Sequence, residues 1–249
     1  PHATAVQVNG VSVDDKLADP ETRRAIAEKT WAYCQKHEGG RISFNRIRQS
    51  IKAYAGHHVS NFRPVSAKDL YEMFPGKVVF DPCAGWGGRL MGACAARMHY
   101  VGVDASRATT LGLANMVGDL EAHATIIHAA VEDLPVEPGG YDMAFTSPPY
   151  FDAERYSADP EQSWVRYRTY PEWRDGFLGP LITRMAAAVR RGGVVALNIA
   201  NVKKYPLELD AVTFLDHSGL VPRMRAAYVL SSIAGKGEKT EPIFIYQKP

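Results

Sequence analysis

Cysteine is scarce: the chain has three in 249 residues, Cys34, Cys83 and Cys94. An odd, sparse count argues against a disulfide framework and fits a reducing, cytoplasmic compartment. The three also lack the spacing of zinc or iron–sulfur ligands. The eight histidines add no metal pattern. His57 and His58 are sequence neighbours whose side chains point apart, which suits a solvated turn better than a ligand pair. No metal is therefore expected. Long apolar runs are missing too, so no window of about 18 apolar residues is available to span a membrane. The opening residues PHATAVQVNG lack the charged-then-apolar pattern of a secretory leader, and none is expected. Net charge is nearly absent. Lys+Arg 29 against Asp+Glu 27 leaves +2, less than bulk phosphate neutralisation of a nucleic acid usually needs. A local basic surface stays open. There is no internal repeat and no low-complexity tract.

What the chain does have is material for a core. Apolar residues make up 46 % and charged residues 22 %, and the length suits one sizeable α/β domain with appendages or two small domains. Residues 1–13 read as a loosely attached arm. Helical periodicity covers 14–37, with Leu17, Ile26, Ala27, Trp31 and Cys34 tending to one side, and stops at Gly39 and Gly40. A second helix is expected over 43–54. A third is expected over 67–74, entered through Ser66 as a cap with Asp69 three residues on.

After Pro75 and Gly76 the pattern changes. Apolar runs occur at 77–81, 100–104, 125–128, 143–146, 193–199, 225–232 and 242–248, and helical stretches at 88–97, 106–120, 172–190 and 207–217. Continuous apolar strands alternating with helices predict a mostly parallel sheet covered on both faces. No helix separates the last two runs. Their polar, glycine-bearing link at 234–239 predicts a closing antiparallel hairpin. Residues 1–56 thus form a helical extension and 57–249 the main domain, with 151–175 as a lid or substrate-contact insertion.

Three segments carry chemistry. The first, Val78-Val79-Phe80-Asp81-Pro82-Cys83-Ala84-Gly85-Trp86-Gly87-Gly88-Arg89-Leu90, is a strand, an acid, a glycine-rich turn and a helix start. Glycines let backbone N–H groups approach a ligand, and the helix start favours a polar or negative group. No GxxxxGK[ST] follows, which argues against a triphosphate cradle. An acid at the strand end repels phosphate but attracts an ammonium group, favouring an amino-acid-bearing cofactor. The second segment ends a strand on Asp104, followed by Ala105, about twenty residues beyond the turn, where a carboxylate can hold ribose hydroxyls. The acids Glu132 and Asp133 follow the next strand; either could accept from an adenine amino group, the other capping a turn. The third segment, Thr146-Ser147-Pro148-Pro149-Tyr150-Phe151, ends a strand in a stiff corner. It presents a hydroxyl, a carbonyl and an aromatic face together, the groups needed to hold a planar ring bearing an amine.

Asp-Pro-x-x-Gly-x-Gly followed by Ser-Pro-Pro-Tyr resembles the S-adenosylmethionine-dependent DNA methyltransferases that modify exocyclic amino groups. The resemblance runs from about His57 to the C-terminus. It implies an α/β, class I (Rossmann-like) methyltransferase fold with a seven-stranded sheet and a terminal antiparallel hairpin, preceded by the helical extension. It implies S-adenosyl-L-methionine as cofactor, held by Asn61, Phe62, Asp81, Pro82, Cys83, Ala84, Gly85, Gly87, Asp104, Ala105 and Glu132 or Asp133. It implies Ser147, Pro148, Pro149 and Tyr150 as the catalytic corner and DNA as partner, the target being cytosine N4 or adenine N6. Two departures stand out: Trp86 occupies a place where relatives have a small residue, and no long insertion offers a target-recognition domain. Cys83 follows a proline but lies in the cofactor turn, so a buried thiol lining the pocket is expected rather than a nucleophile.

Residues 151–175 interleave aromatics and arginines, among them Phe151, Arg155, Tyr156, Trp164 and Arg168, a pattern suited to bases and phosphates. Six acids against four arginines make the segment equally suited to a lid packed on the domain. The basic residues Arg41, Arg46, Arg48, Lys52 and Arg63 suit either a phosphate backbone or a solvated helix face. RNA, or the amine of a small molecule or peptide, remains an alternative substrate, and the oligomeric state is not legible.

Overall fold

The computed structural model of the chain describes residues 7–8, 12–54, 61–202, 205–233 and 237–249. His57, His58 and residues 234–236 of the hairpin link lie outside the described residues. The chain divides into two compact units, residues 1–60 with 153–158, and residues 61–152 with 159–249.

The first unit pairs a short strand β1 (Gln7–Val8) antiparallel with β6 (Glu154–Arg155). Its helices are α1 (Val13–Ala18), α2 (Pro20–His37) and α3 (Phe44–Tyr54). The single helix expected over 14–37 is two. Asp19 caps α2 by accepting from the Thr22 amide at 2.8 Å, and Pro20 fills the first helical position, where a missing N–H costs nothing. The face expected inward is also corrected. Ile26, Thr30 and Cys34 are buried at four-residue spacing, whereas Ala27 is exposed and Trp31 is 49 % exposed. Ile51 of α3 packs with Leu17 against a small core of Val13 and Ile26.

The second unit holds β2 (Val78–Asp81), β3 (His99–Asp104), β4 (Ala124–His128), β5 (Tyr141–Thr146), β7 (Val189–Asn198), β8 (Val221–Ile233) and β9 (Gly237–Gln247). They form one sheet in the order β4-β3-β2-β5-β7-β9-β8. Strands β2 to β5 and β7 pair in parallel, and β9 runs antiparallel between β7 and β8. This is the seven-stranded α/β sheet with a terminal antiparallel hairpin that the sequence predicted. Alternate residues feed two cores. Phe80, Ala144, Val195 and Phe244 face one side with α9 (Gly179–Ala188) and α10 (Leu207–Asp216). Val79, Met143, Val194 and Ile243 face the other with α4 (Pro64–Glu72), α5 (Gly88–Ala95) and α6 (Arg107–Asp119). Both faces are covered, which is why the strands read as unbroken apolar runs.

Two helix boundaries differ from expectation. Helix α4 begins at Pro64 rather than through a Ser66 cap, because a proline at the first position needs no amide partner. The stretch expected as one helix over 172–190 is α8 (Tyr170–Trp173), a π-turn over Arg174–Leu178 and α9, and Val189 already starts β7. Among the described residues no helix is long and apolar enough to cross a membrane. None of them groups three or more potential metal ligands.

Candidate functional site

Strand β2 has β3 on one side and β5 on the other, so the chain order reverses beside it. In open α/β sheets ligands bind at the carboxyl ends of the strands flanking such a reversal. The glycine turn leaves β2 there, and the Ser147–Tyr150 corner leaves β5, its neighbour.

Asp81 ties the two together. Its carboxylate accepts from Arg89 Nε at 2.7 Å, Tyr100 Oη at 2.6 Å, Thr146 Oγ1 at 2.8 Å and the Cys83 amide at 3.3 Å. The residue has no exposed surface. Arg89, also buried, donates in addition to the Cys83 carbonyl. The expectation that Asp81 would face a ligand ammonium is corrected here: its acceptor sites serve the protein. Through Thr146 it fixes the residue next to Ser147, and through Cys83 and Arg89 it fixes the glycine turn. Burial, then the Asp81 charge, push the Tyr100 hydroxyl well above its ordinary pKa, so it remains a donor.

The turn itself is a cradle. Pro82 and Ala84 are buried, and the Ala84 amide bonds to the Val103 carbonyl at 2.8 Å. Gly85 (φ +60°) and Gly87 (φ +83°) take the left-handed conformation that glycine tolerates. A Cβ at Gly85 would meet only the Cys83 carbonyl, at 3.9 Å, so the space above it is open. At Gly88 a Cβ would lie 1.9 Å from the Phe62 carbonyl, so only glycine lets the segment before α4 close on the turn. Asn61 Nδ2 reaches the Trp86 carbonyl at 3.2 Å. Buried Phe62 stacks on Tyr228 and meets Phe145 edge-on. Cys83 is a free thiol whose pKa burial pushes well up, the opposite of an activated nucleophile.

Asp104 ends β3 and accepts from the Gly85 amide and the Ser106 amide, each at 2.9 Å. Those bonds leave half of its four acceptor positions for a ligand. Burial pushes its pKa up to about 6 against the pull of the two amides. Ala105 is half-buried, and its carbonyl meets His128 Nε2 at 3.1 Å. Of the two later acids, Glu132 has a side chain only 6 % exposed, whereas Asp133 is exposed. Arg166 of α7 (Ser163–Arg166) bridges them, at 2.9 Å to Glu132 and 2.7 Å to Asp133. Burial raises the Glu132 pKa, its own amide and Arg166 opposing.

At the corner, Pro148 is buried, while Ser147, Pro149 and Tyr150 are half-buried. Tyr150 Oη donates to Glu241 Oε2 at 3.0 Å, on β9. Phe151, expected to touch substrate, is instead buried among Tyr170, Trp173 and Tyr205. Its φ of +52° turns the chain inward there, and the three rings hold that costly conformation. Trp164 is half-buried on α7 and Arg168 is exposed. Arg155 and Tyr156 belong to the first unit. Sequence reasoning missed Arg89 and Glu241, and it read Arg166 as a partner for phosphates or part of a lid, whereas Arg166 pairs with Glu132 and Asp133. Arg89 left a signal: a lone cation in the first turn of a helix opposes the helix dipole and calls for a buried partner.

No family model matches the sequence, and no curated protein is similar to it. Solved structures do resemble it. The glycopeptide N-methyltransferase MtfA, complexed with S-adenosylmethionine, matches with a TM-score of 0.54 at 10 % identity, over 75 % of this chain and 87 % of its own. A TehB-like S-adenosylmethionine-dependent methyltransferase from Corynebacterium glutamicum matches with a TM-score of 0.51 at 13 % identity, over 81 % and 95 %. The [4+2]-cyclase SpnF matches with a TM-score of 0.52 at 11 % identity, over 74 % and 81 %. The second unit thus has the class I S-adenosylmethionine-dependent methyltransferase fold. A cyclase in the same set means that the reaction must be argued from the site.

Proposed function

We propose that the protein transfers a methyl group from S-adenosyl-L-methionine to an exocyclic amino nitrogen of a nucleobase in DNA, cytosine N4 or adenine N6. The observation that carries this is the Asp81 junction. It holds a glycine cradle and a Ser-Pro-Pro-Tyr corner on adjacent strands.

The cradle suits the cofactor: open space over Gly85, acceptor positions on Asp104 for ribose hydroxyls, and Glu132 or Asp133 for the adenine amine. Bound there, S-adenosylmethionine supplies an electrophilic methyl on a sulfonium. The chain's task is to orient the acceptor. A nucleobase amine is a poor nucleophile because its lone pair is conjugated with the ring. Ser147 Oγ and the Pro148 carbonyl would accept its two N–H bonds and turn the lone pair out of conjugation. Tyr150 would stack on the base. Methylation would leave the nitrogen cationic, and the proton held against Ser147 Oγ would be lost to bulk solvent after transfer, when the product leaves the site. Alignment and exclusion of water, rather than a strong base, supply the acceleration.

The test is incubation with labelled methyl donor and DNA, RNA, a small amine or none, followed by nucleoside mass spectrometry. Label on N4-methylcytosine or N6-methyladenine from DNA is expected, with a drop of about 10²-fold or more for Ser147→Ala. Label only on RNA or the amine overturns the substrate assignment. Full activity in Ser147→Ala removes the corner from the mechanism.

A further inference from the structure

We propose that α3 and the loop before it form a DNA-docking surface on the N-terminal unit. The inference rests on the reading above that the substrate base lies in DNA. Its first support is where the charge sits. Residues 39–54, the loop and α3 themselves, contain four lysines and arginines and no carboxylate, while the rest of the chain has 25 against 27 acids. The near-neutral total therefore hides a strongly cationic stretch in a slightly acidic protein. A polyanion is the complementary partner.

The second support is geometric. Within the first unit, Arg41 and Arg48 are exposed, and Phe44 at the head of α3 is 79 % exposed. Tyr33 and Tyr54 edge one groove with Arg46. That groove is braced internally, with Arg46 held by Glu38 and lying 4.1 Å from the Tyr33 centroid and Lys29 Nζ 4.9 Å from that of Tyr54, so the groups it presents outward are Arg41, Arg48 and Phe44. Cations and aromatic faces presented together grip phosphates and stack on bases. A basic helix with apolar residues also suits an anionic membrane. Here Ile51 packs against Val13 and Ile26, and the exposed Ile42, Phe44 and Ile47 are interspersed with exposed Arg41, Asn45, Arg48 and Gln49, which makes a mixed surface rather than a continuous apolar stripe.

The test uses the full chain and Arg41→Gln/Arg48→Gln and Phe44→Ala variants. Circular dichroism and cofactor binding check folding. Fluorescence anisotropy reads binding to duplex DNA, RNA of the same sequence and phosphatidylserine vesicles across a salt series. In the double variant the slope of log affinity against log salt should flatten by about 1.8, because two phosphates are no longer neutralised, and KM for DNA should rise. Phe44→Ala should weaken DNA binding with the slope unchanged. Unaltered affinity and slope in both variants overturn the surface, as does binding confined to RNA or vesicles. If methyl transfer to DNA persists with unchanged KM, the surface fails and the proposed reaction stands. If the variants lose DNA binding in a protein that never methylates DNA, the surface stands and the reaction fails.

Discussion

Asp104 offers the sharpest handle on the cofactor cradle. In the free protein burial raises its pKa from 3.8 to about 6. The sign follows directly. A raised carboxyl binds its proton more tightly in the folded chain than in the unfolded one. Its contribution to stability is present below pH 3.8 and is lost as pH rises through about 6. Ribose hydroxyls donating to the carboxylate favour the charged form and return the pKa toward 3.8. Cofactor binding must then release a proton, about 0.5 per site at pH 6, where half the free sites are protonated. By the same linkage, affinity should be about tenfold weaker at pH 5 than at pH 7.5. Titration calorimetry in two buffers of different ionisation enthalpy reads the released proton. Asp104→Asn removes this release, and subtracting its signal cancels protons contributed by the ligand. It should also weaken binding at pH 7.5 by about 1.5–3 kcal/mol, the usual worth of hydrogen bonds to a charged group. Proton release that is absent, or equal in the Asp104→Asn protein, refutes the assignment of Asp104 to the ribose.

Three further outcomes follow from the same geometry. Arg89→Ala strands the buried Asp81 charge and should cost about 3–5 kcal/mol in urea denaturation, most of it recovered in an Asp81→Asn/Arg89→Met double variant. Tyr150→Phe and Glu241→Ala should raise KM for DNA non-additively, with a coupling energy of about 0.5–1.5 kcal/mol; Glu241→Gln should retain most of the affinity. Full additivity would separate the two residues. Phe151→Ala should lose about 3–5 kcal/mol of packing, and Phe151→Gly should be more stable than Phe151→Ala by about 1 kcal/mol, because only glycine takes positive φ without strain. The usual order, alanine above glycine, would contradict the inward turn at the corner.

The sheet was legible because burial on both faces makes each strand an unbroken apolar run, and both motif turns lie at strand ends where ligands collect. The hairpin strands ran longer than their apolar cores, since β8 and β9 pair on through polar residues such as Glu238, Lys239 and Thr240. The break at Asp19-Pro20 was written as a cap followed by a helix-starting proline, but the apolar spacing on either side masked it. Phe151 could not be read, because its direction is set by a backbone angle rather than by residue type. Arg166 and Glu241 reach the site from 34 and 91 residues away, and such partnerships exist only once the fold brings them together.

The solvent-free junction at Asp81 also sets how this scaffold can be altered. The two loops it joins share one mechanical joint, so neither can be exchanged alone. A donor-site loop grafted from another protein would arrive without a matching arginine, tyrosine or threonine, and the base-side loop would drift with it. Attempts to redirect specificity should treat Asp81, Arg89, Tyr100 and Thr146 as one transplantable block, and confine randomisation to Ser147, Pro149 and Tyr150.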